Sequence, residues 1–140
     1  MPEPKTRETG ATARLGRTGF PRMTSATGGT LDIVTGATQP GFNPLDLLHA
    51  SLASCMAMSA RIVANRMGLL GQVRGIAVEV RGDKKEEDGR SRIARFDVVF
   101  SIDGDIDDET KHSIIHEAEK ICTVSNTLGA GPAMDLQLAD

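Results

Sequence analysis

The stretch from Asn43 to Gly68 constrains the fold of this chain more than any other part of the sequence. Asn43 can cap the free N–H groups at a helix start, and Pro44 stands where its missing donor costs nothing. Gly68 is typical of a helix end, and no glycine or proline lies between these stops. Apolar side chains occur almost all round the stretch, which is typical of a helix buried on most faces. We therefore predict one long core helix, with Cys55 in its middle.

Short stretches of alternating apolar side chains predict β-strands on both sides of this helix. The segment before it is interrupted by glycines and is typical of a three-stranded meander, while the segment after it is typical of an antiparallel hairpin with a charged turn. A further alternating stretch lies near the end of the chain. The predicted strands are Ala13–Arg17, Pro21–Ala26 and Thr30–Val34 before the helix, and 76–80, 96–102 and 134–138 after it.

A second helix is predicted to begin at Asp107, which is a favourable N-cap and is followed by two acidic residues. Its buried stripe ends at Cys122, and residues 123–132 are predicted to form a loop. Because strands and helices are segregated along the chain, the fold class is α+β, with antiparallel sheets packed around long buried helices. We expect residues 1–140 to form a single domain with a frayed start at residues 1–10.

Composition excludes several classes of function. A net charge of −3 and the absence of Trp and Tyr argue against a nucleic-acid partner. The core helix carries polar residues that argue against a membrane span, and no leader sequence is recognisable, so we expect a cytoplasmic protein. His112 and His116 are one helical turn apart, but both lie off the buried stripe, and we expect an exposed polar face rather than a metal site. No cofactor is predicted.

The length of the core helix predicts a homodimer. About 25 residues at 1.5 Å per residue span ~37 Å, which exceeds the width of a compact domain of this size. One small sheet does not supply enough cover for its apolar faces. We therefore expect a second subunit to cover them.

Two cysteines, Cys55 and Cys122, are the candidate reactive groups. Either alone is explained by simple burial, but both lie on core-facing stripes, where they can meet between packed helices. Neither is placed to be activated by its own helix, since Cys55 is far from an N-terminus and Cys122 is near a C-terminus. Arg17 and Arg22 are the candidate cations for lowering the pKa of Cys55. The alternative is that both arginines are ordinary solvated residues.

The segments around both cysteines resemble the OsmC/Ohr superfamily. Its core-helix signature is similar to Pro44-Leu45-Asp46-Leu47-Leu48, to Ala50-Ser51-Leu52-Ala53-Ser54-Cys55 and to Met67-Gly68-Leu69. Its second motif, Cys-Pro-Val-Ser-x-x-Leu, is similar to Ile121-Cys122-Thr123-Val124-Ser125-Asn126-Thr127-Leu128. The order of elements and the separation of the motifs also fit, so the resemblance covers nearly the whole chain.

The resemblance implies an intertwined homodimer with its sites at the subunit interface and a thiol peroxidase activity. It implies that Cys55 is the peroxidatic thiol, that Cys122 is the resolving thiol, and that Arg17 or Arg22 stabilises the thiolate. The implied partners are an organic hydroperoxide or hydrogen peroxide and a dithiol reductant, of lipoyl type for example, in oxidative or osmotic stress defence. Asp46 is the candidate supporting acid.

The sequence departs from the peroxidase pattern at three places. Leu45 stands where the peroxidases carry a glutamate ten residues before the first cysteine, and the adjacent Asp46 is roughly 180° from Cys55 on a regular helix. Thr123 replaces the proline of the second motif. Gly16-Arg17-Thr18-Gly19 resembles the Gly-Arg-Asp-Gly turn of the organic-hydroperoxide enzymes, whereas Phe20-Pro21-Arg22-Met23-Thr24 resembles a less characterised OsmC-like branch. The alternative hypothesis is therefore a non-catalytic protein that binds a small apolar ligand at the dimer interface.

Overall fold

The computed structural model describes residues 6–139. The chain divides into two compact units, residues 1–47 and residues 48–140. Residues 1–5, half of the predicted frayed start, lie outside the described residues, and residues 6–10 belong to no helix or strand.

The N-terminal unit contains the predicted meander. Strands β1 (Ala11–Arg14), β2 (Arg22–Ser25) and β3 (Thr30–Asp32) pair antiparallel in the order β1-β2-β3. Each strand is shorter than predicted. The tight turn between β2 and β3 requires a positive φ of 94° at Gly28, a conformation that glycine adopts without steric cost.

The core helix α1 (Pro44–Arg66) begins where the sequence predicts. The side-chain Oδ1 of Asn43 accepts the N–H of Asp46 at 2.7 Å, and the Asp46 carboxylate accepts the N–H of Asn43 at 3.0 Å. This reciprocal pair is a capping box, which satisfies two N–H groups that a helix start leaves free. After the helix, Gly68 adopts a φ of 73°, which confirms its role as the terminating residue.

The C-terminal unit combines most of α1 with a long hairpin and two further helices. Strands β4 (Val73–Glu87) and β5 (Arg90–Gly104) pair antiparallel around the turn at Asp88 and Gly89. Helix α2 (Asp108–Ile121) begins at its predicted cap, where the Asp107 side chain accepts the N–H of Thr110. The core of this unit joins α1, β5 and α2 through Ala60, Val63, Ala64, Ile102, Ile114 and Ala118.

Two predictions for the end of the chain are wrong. Residues 123–132 were expected to form a loop, but Thr123–Ala130 form a third helix, α3, which ends at Gly131 with a φ of 59°. The last strand at 134–138 is absent from the described residues, and Met134, Leu136 and Leu138 are 89%, 90% and 97% exposed. An alternating segment becomes a strand only where a neighbouring edge offers hydrogen bonds, and the described chain pairs no edge with this one.

Helix α1 is buried on one side rather than on most faces within the single chain. Its buried residues include Leu52, Met56 and Val63, whereas Met58 is 57% exposed. Contrary to the expectation from its polar residues, α1 is long and apolar enough to cross a membrane, with a mean hydropathy of 1.4 over an 18-residue stretch. The core helix of a soluble protein passes the same test, and α1 packs its buried side against β4, β5, α2 and α3.

Candidate functional site

The two cysteines lie together in one apolar cluster of the C-terminal unit. Cys122 is completely buried with Leu52 and Met56, and the half-buried Cys55 packs against them. Both are free thiols, and they pack within the same cluster. The prediction that the two cysteines meet between packed helices is therefore confirmed.

Cys122 occupies the one-residue break between α2 and α3. Its N–H donates to the carbonyl of Glu119 at 3.3 Å and so ends α2, while its sulfur accepts the N–H of Ser125 at 3.4 Å and so caps α3. Its own φ and ψ of −75° and 107° are extended, as expected for an N-cap residue. A single residue thus ends one helix and begins the next beside Cys55.

The surroundings of Cys55 favour its thiolate. Burial raises the pKa of the Cys55 thiol, but hydrogen bonding outweighs this effect, so that the pKa is lowered overall. The groups responsible are the N–H of Val124, the thiol of Cys122, the hydroxyl of Ser59 and the N–H of Thr123. Each of these groups donates to sulfur, and donation to the charged form stabilises it. Ser59 lies one turn after Cys55 on α1 and is itself buried.

The surroundings of Cys122 favour its neutral thiol. Burial raises the pKa of Cys122, and its hydrogen bond to Cys55 raises it further, against a smaller lowering by the N–H of Ser125. The sequence placed Cys122 near a helix C-terminus, where the negative end of the dipole raises the pKa of a thiol. In the structure, burial is the largest cause of the raised pKa.

The sequence missed the start of α3 as a source of hydrogen bonds to Cys55. The prediction considered each cysteine only on its own helix, whereas the backbone of Val124 and Thr123, in the first turn of α3, lowers the pKa of Cys55. The available signal was the run of polar residues after Cys122, of which Ser125 and Asn126 suit a first helical turn. It was obscured because cysteine is not among the preferred N-cap residues.

Arg17, Arg22 and Asp46 belong to the N-terminal unit. Arg17 lies in the exposed loop after β1, because that strand ends at Arg14. Arg22 is the exposed first residue of β2, and its Nε lies 3.9 Å from the carboxylate of Asp32. The carboxylate of Asp46 accepts the Asn43 N–H in the capping box of α1. Their roles toward Cys55 stay predictions.

An open groove of about 570 Å³ lies beside the thiol cluster, within the C-terminal unit. Its walls come from α1, β5, α2 and α3, and they share the cluster residues Leu52 and Met56. The apolar lining includes Leu52, Met56, Phe96, Val98, Phe100 and Leu128, and the polar lining is Arg92, Arg95, His116, Glu119 and Ser125. Within residues 6–139, no three His, Cys, Asp or Glu side chains are arranged to hold a metal ion.

Several solved structures share this fold. An organic hydroperoxide resistance protein from Elizabethkingia anophelis aligns with a TM-score of 0.75 and 20% identity over 91% of both chains. An OsmC-like protein from Mycoplasma pneumoniae gives the same TM-score, identity and coverage. The organic hydroperoxide resistance protein OhrB of Bacillus subtilis aligns with a TM-score of 0.66 and 24% identity, covering 89% of this chain and 93% of OhrB.

Sequence comparison gives the family directly. An uncharacterised protein of Methanocaldococcus jannaschii is 28% identical over 93 residues, which are 66% of this chain and 48% of that protein, so the chain spans about half the length of this curated relative. The model of the OsmC-like protein family matches residues 36–137, a range that includes both cysteines. The resemblance seen in the sequence is thus confirmed, and the chain belongs to the OsmC-like family.

Proposed function

We propose that this protein is a thiol-dependent peroxidase, with Cys55 as the peroxidatic and Cys122 as the resolving residue. The observation that carries the proposal is the contact between two free thiols whose pKa values are shifted in opposite directions. A low pKa suits the attacking thiol, since the thiolate is the nucleophile. A neutral thiol beside it suits the resolving role.

The reaction begins with attack of the Cys55 thiolate on the O–O bond of a hydroperoxide. The sulfur is oxidised to a sulfenic acid, and the distal oxygen passes to it as the O–O bond breaks and an alkoxide leaves. The alkoxide takes up a proton to become an alcohol. The thiol of Cys122 then condenses with the sulfenic acid to form a disulfide and water, and a dithiol reductant restores both thiols while it is itself oxidised.

The other parts of the proposal rest on the family resemblance. We propose that Arg17 or Arg22 stabilises the thiolate and the leaving alkoxide, that Asp46 supports this arrangement, and that both units of the chain act as one OsmC-like domain. Exposed apolar residues on α1, such as Met58, support a homodimer in which a second copy covers that face. A cytoplasmic location supplies the reducing surroundings in which a dithiol reductant works.

The test is peroxide consumption with dithiothreitol and a dihydrolipoyl compound as alternative reductants. Wild-type protein should consume cumene hydroperoxide or hydrogen peroxide, Cys55→Ser should show none, and Cys122→Ser should lose dithiol-dependent turnover while still forming a sulfenic acid. A wild-type rate equal to that of Cys55→Ser would rule out the peroxidase.

A binding protein is the second candidate, and the groove beside the thiol cluster favours it. Its volume of about 570 Å³ falls in the range of small-molecule sites, and most of the side chains that line it are apolar. Leu45 in place of the glutamate of the peroxidases is consistent with this reading. Titration with a thiol reagent distinguishes the candidates, because a binder needs no reactive thiol: one fast thiol supports the enzyme, and two slow thiols support the binder.

A further inference from the structure

The imidazole of His49 packs into a notch in the β4–β5 hairpin. His49 lies near the start of α1, and its ring meets the Phe96 ring edge to face, with centroids 5.9 Å apart and ring planes at 80°. Gly82 is the cross-strand partner of Phe96, and a Cβ at Gly82 would lie 2.6 Å from Nε2 of His49. The histidine ring therefore occupies the space that a side chain at position 82 would fill.

Gly82 supplies space here rather than a special backbone conformation. Its φ lies outside the left-handed region, so its backbone is compatible with any L side chain. A Cβ would instead meet Nε2 of His49 and, at 2.8 Å, Cγ2 of Ile93. Glycine inside a strand weakens it and marks a site where another group approaches closely. At this site the approaching group is the imidazole.

The fit of His49 carries a polar cost. Its Nε2 atom is buried, and no described residue offers that atom a hydrogen bond. An unpaired buried nitrogen is destabilising, and an aliphatic side chain would fill the notch without this cost. A flat ring, however, makes the edge-to-face pair with Phe96 that an aliphatic side chain cannot make. The histidine is therefore best explained by its contact with Phe96.

Phe96 connects the notch to the groove beside the thiol cluster. Its ring lines the groove together with Leu52 and Met56, and it packs against the same two residues in the cluster. Leu52 and Met56 stand three and seven residues after His49, so the three side chains share one face of α1. A ring that His49 holds on one side thus forms the groove wall on the other.

We propose that His49 is a positioning residue that sets the width of the groove, and with it the size of the apolar group that the groove admits, by holding the Phe96 ring in one orientation. The aromatic and aliphatic walls suit a compact apolar group such as a single aromatic ring. Without the imidazole, Phe96 can turn into the empty notch and the groove widens. The proposal rests on the groove as the ligand site of either candidate function, but not on peroxide chemistry.

The experiment compares the binding of benzyl alcohol and 2-naphthalenemethanol to the reduced full-length protein by NMR titration. Because the chain has four Phe and no Trp or Tyr, the ring signals of Phe96 can be followed directly. His49→Ala should raise the affinity for the two-ring probe, relative to the one-ring probe, about three- to tenfold. His112→Ala is the matched control, since His112 is exposed on α2 and does not line the groove. An unchanged ratio in His49→Ala, or no shift of the wild-type Phe96 signals with either probe, would overturn the proposal.

His49→Leu covers the case in which His49→Ala does not fold. Leucine keeps the notch filled and removes the unpaired nitrogen, so this variant should unfold at the wild-type urea concentration or above it. Because leucine provides no flat ring for Phe96, the ratio of affinities should still rise at least about twofold. A wild-type ratio in His49→Leu would overturn the proposal. Since neither probe is a peroxide, failure of this proposal and failure of the peroxidase are observed separately.

Discussion

Cys55 and Cys122 share one apolar cluster and touch each other, yet their surroundings act in opposite directions. Cys55 is half-buried in the middle of α1, and hydrogen bonds to its sulfur outweigh burial and lower its pKa. Cys122 is completely buried at the junction of α2 and α3, where burial raises its pKa. Burial is the largest influence on both pKa values and raises each of them. The number of hydrogen-bond donors around each sulfur therefore decides the direction of the overall shift.

The comparison shows that the α2–α3 junction can serve both thiols at once. The pKa of Cys122 is lowered by the N–H groups of Ser125 and, less, of Val124, whereas that of Cys55 is lowered by Cys122, by Ser59 and by the first turn of α3. The short helix that begins after Cys122 thereby favours negative charge on Cys55.

The largest expected effect is a difference in reactivity between the two thiols. In the native protein at pH 7, iodoacetamide should modify Cys55 about a hundredfold faster than Cys122, since Cys122 is both protonated and inaccessible until the fold opens. Peptide mapping after short exposure measures the ratio. Unfolding in urea is the control, because both thiols should then react at similar rates. Similar rates in the native protein would contradict the comparison.

Removal of Cys122 should have the next largest effect. Cys122→Ala deletes a donor to Cys55 and the cap of α3, so Cys55 alkylation at pH 7 should slow about tenfold. The free energy of unfolding should fall by about 1 kcal/mol through loss of the cap. Cys122→Ser is the matched control, since its hydroxyl can donate to Cys55 and serine is a favoured N-cap. Equal alkylation rates for the two variants would show that the donor at position 122 is unimportant.

Much of the fold could be predicted because its signals are local. The capping box at Asn43 and Asp46, the glycine stop at Gly68 and the alternation in β4 and β5 each occupy a few neighbouring residues. The meeting of the two cysteines also followed, because both stand on apolar helical stripes. In these places the local preference and the packing of the whole chain agree.

The parts that could not be predicted depend on contacts distant in sequence. Helix α3 is eight residues long and begins at a cysteine, so neither length nor cap identified it. Its effect on the pKa of Cys55 depends on contacts between residues that are far apart in the sequence. The alternation at Met134, Leu136 and Leu138 predicted a strand, but pairing requires an edge that periodicity alone does not reveal.

Ser59 offers a smaller and cleaner test, because its donor can be deleted without touching the α2–α3 junction. Ser59→Ala should slow Cys55 alkylation at pH 7 about threefold, since one hydrogen bond to the thiolate is lost while the cap of α3 remains. Ser54→Ala is the matched control, because Ser54 is exposed on the same helix and donates to the Ser51 carbonyl. If both variants alkylate at the wild-type rate, the N–H groups of α3 must account for the reactivity without Ser59.

The smallest expected effect is on stability, where the two thiols should respond to pH with opposite signs. The folded pKa of Cys55 lies below its ordinary value of 9.0, so its stabilising contribution is fully present above pH 9.0 and is lost as pH falls through the folded pKa. The folded pKa of Cys122 lies above 9.0, so its contribution is present below pH 9.0 and is lost as pH rises through the folded pKa.

Urea unfolding under reducing conditions, repeated from pH 6 to 10, separates these contributions. The difference in unfolding free energy between wild type and Cys55→Ser should shift in favour of the wild type as pH rises toward 9.0. The corresponding difference for Cys122→Ser should shift against the wild type only at higher pH, because a thiol that is neutral in both states contributes nothing to the slope. Since serine does not titrate in this range, each variant removes one thiol from the pH dependence and leaves the other. If neither difference in unfolding free energy changed with pH, or if both changed with the same sign, the two thiols would respond to pH alike. The asymmetry on which the proposed reaction depends would then be absent.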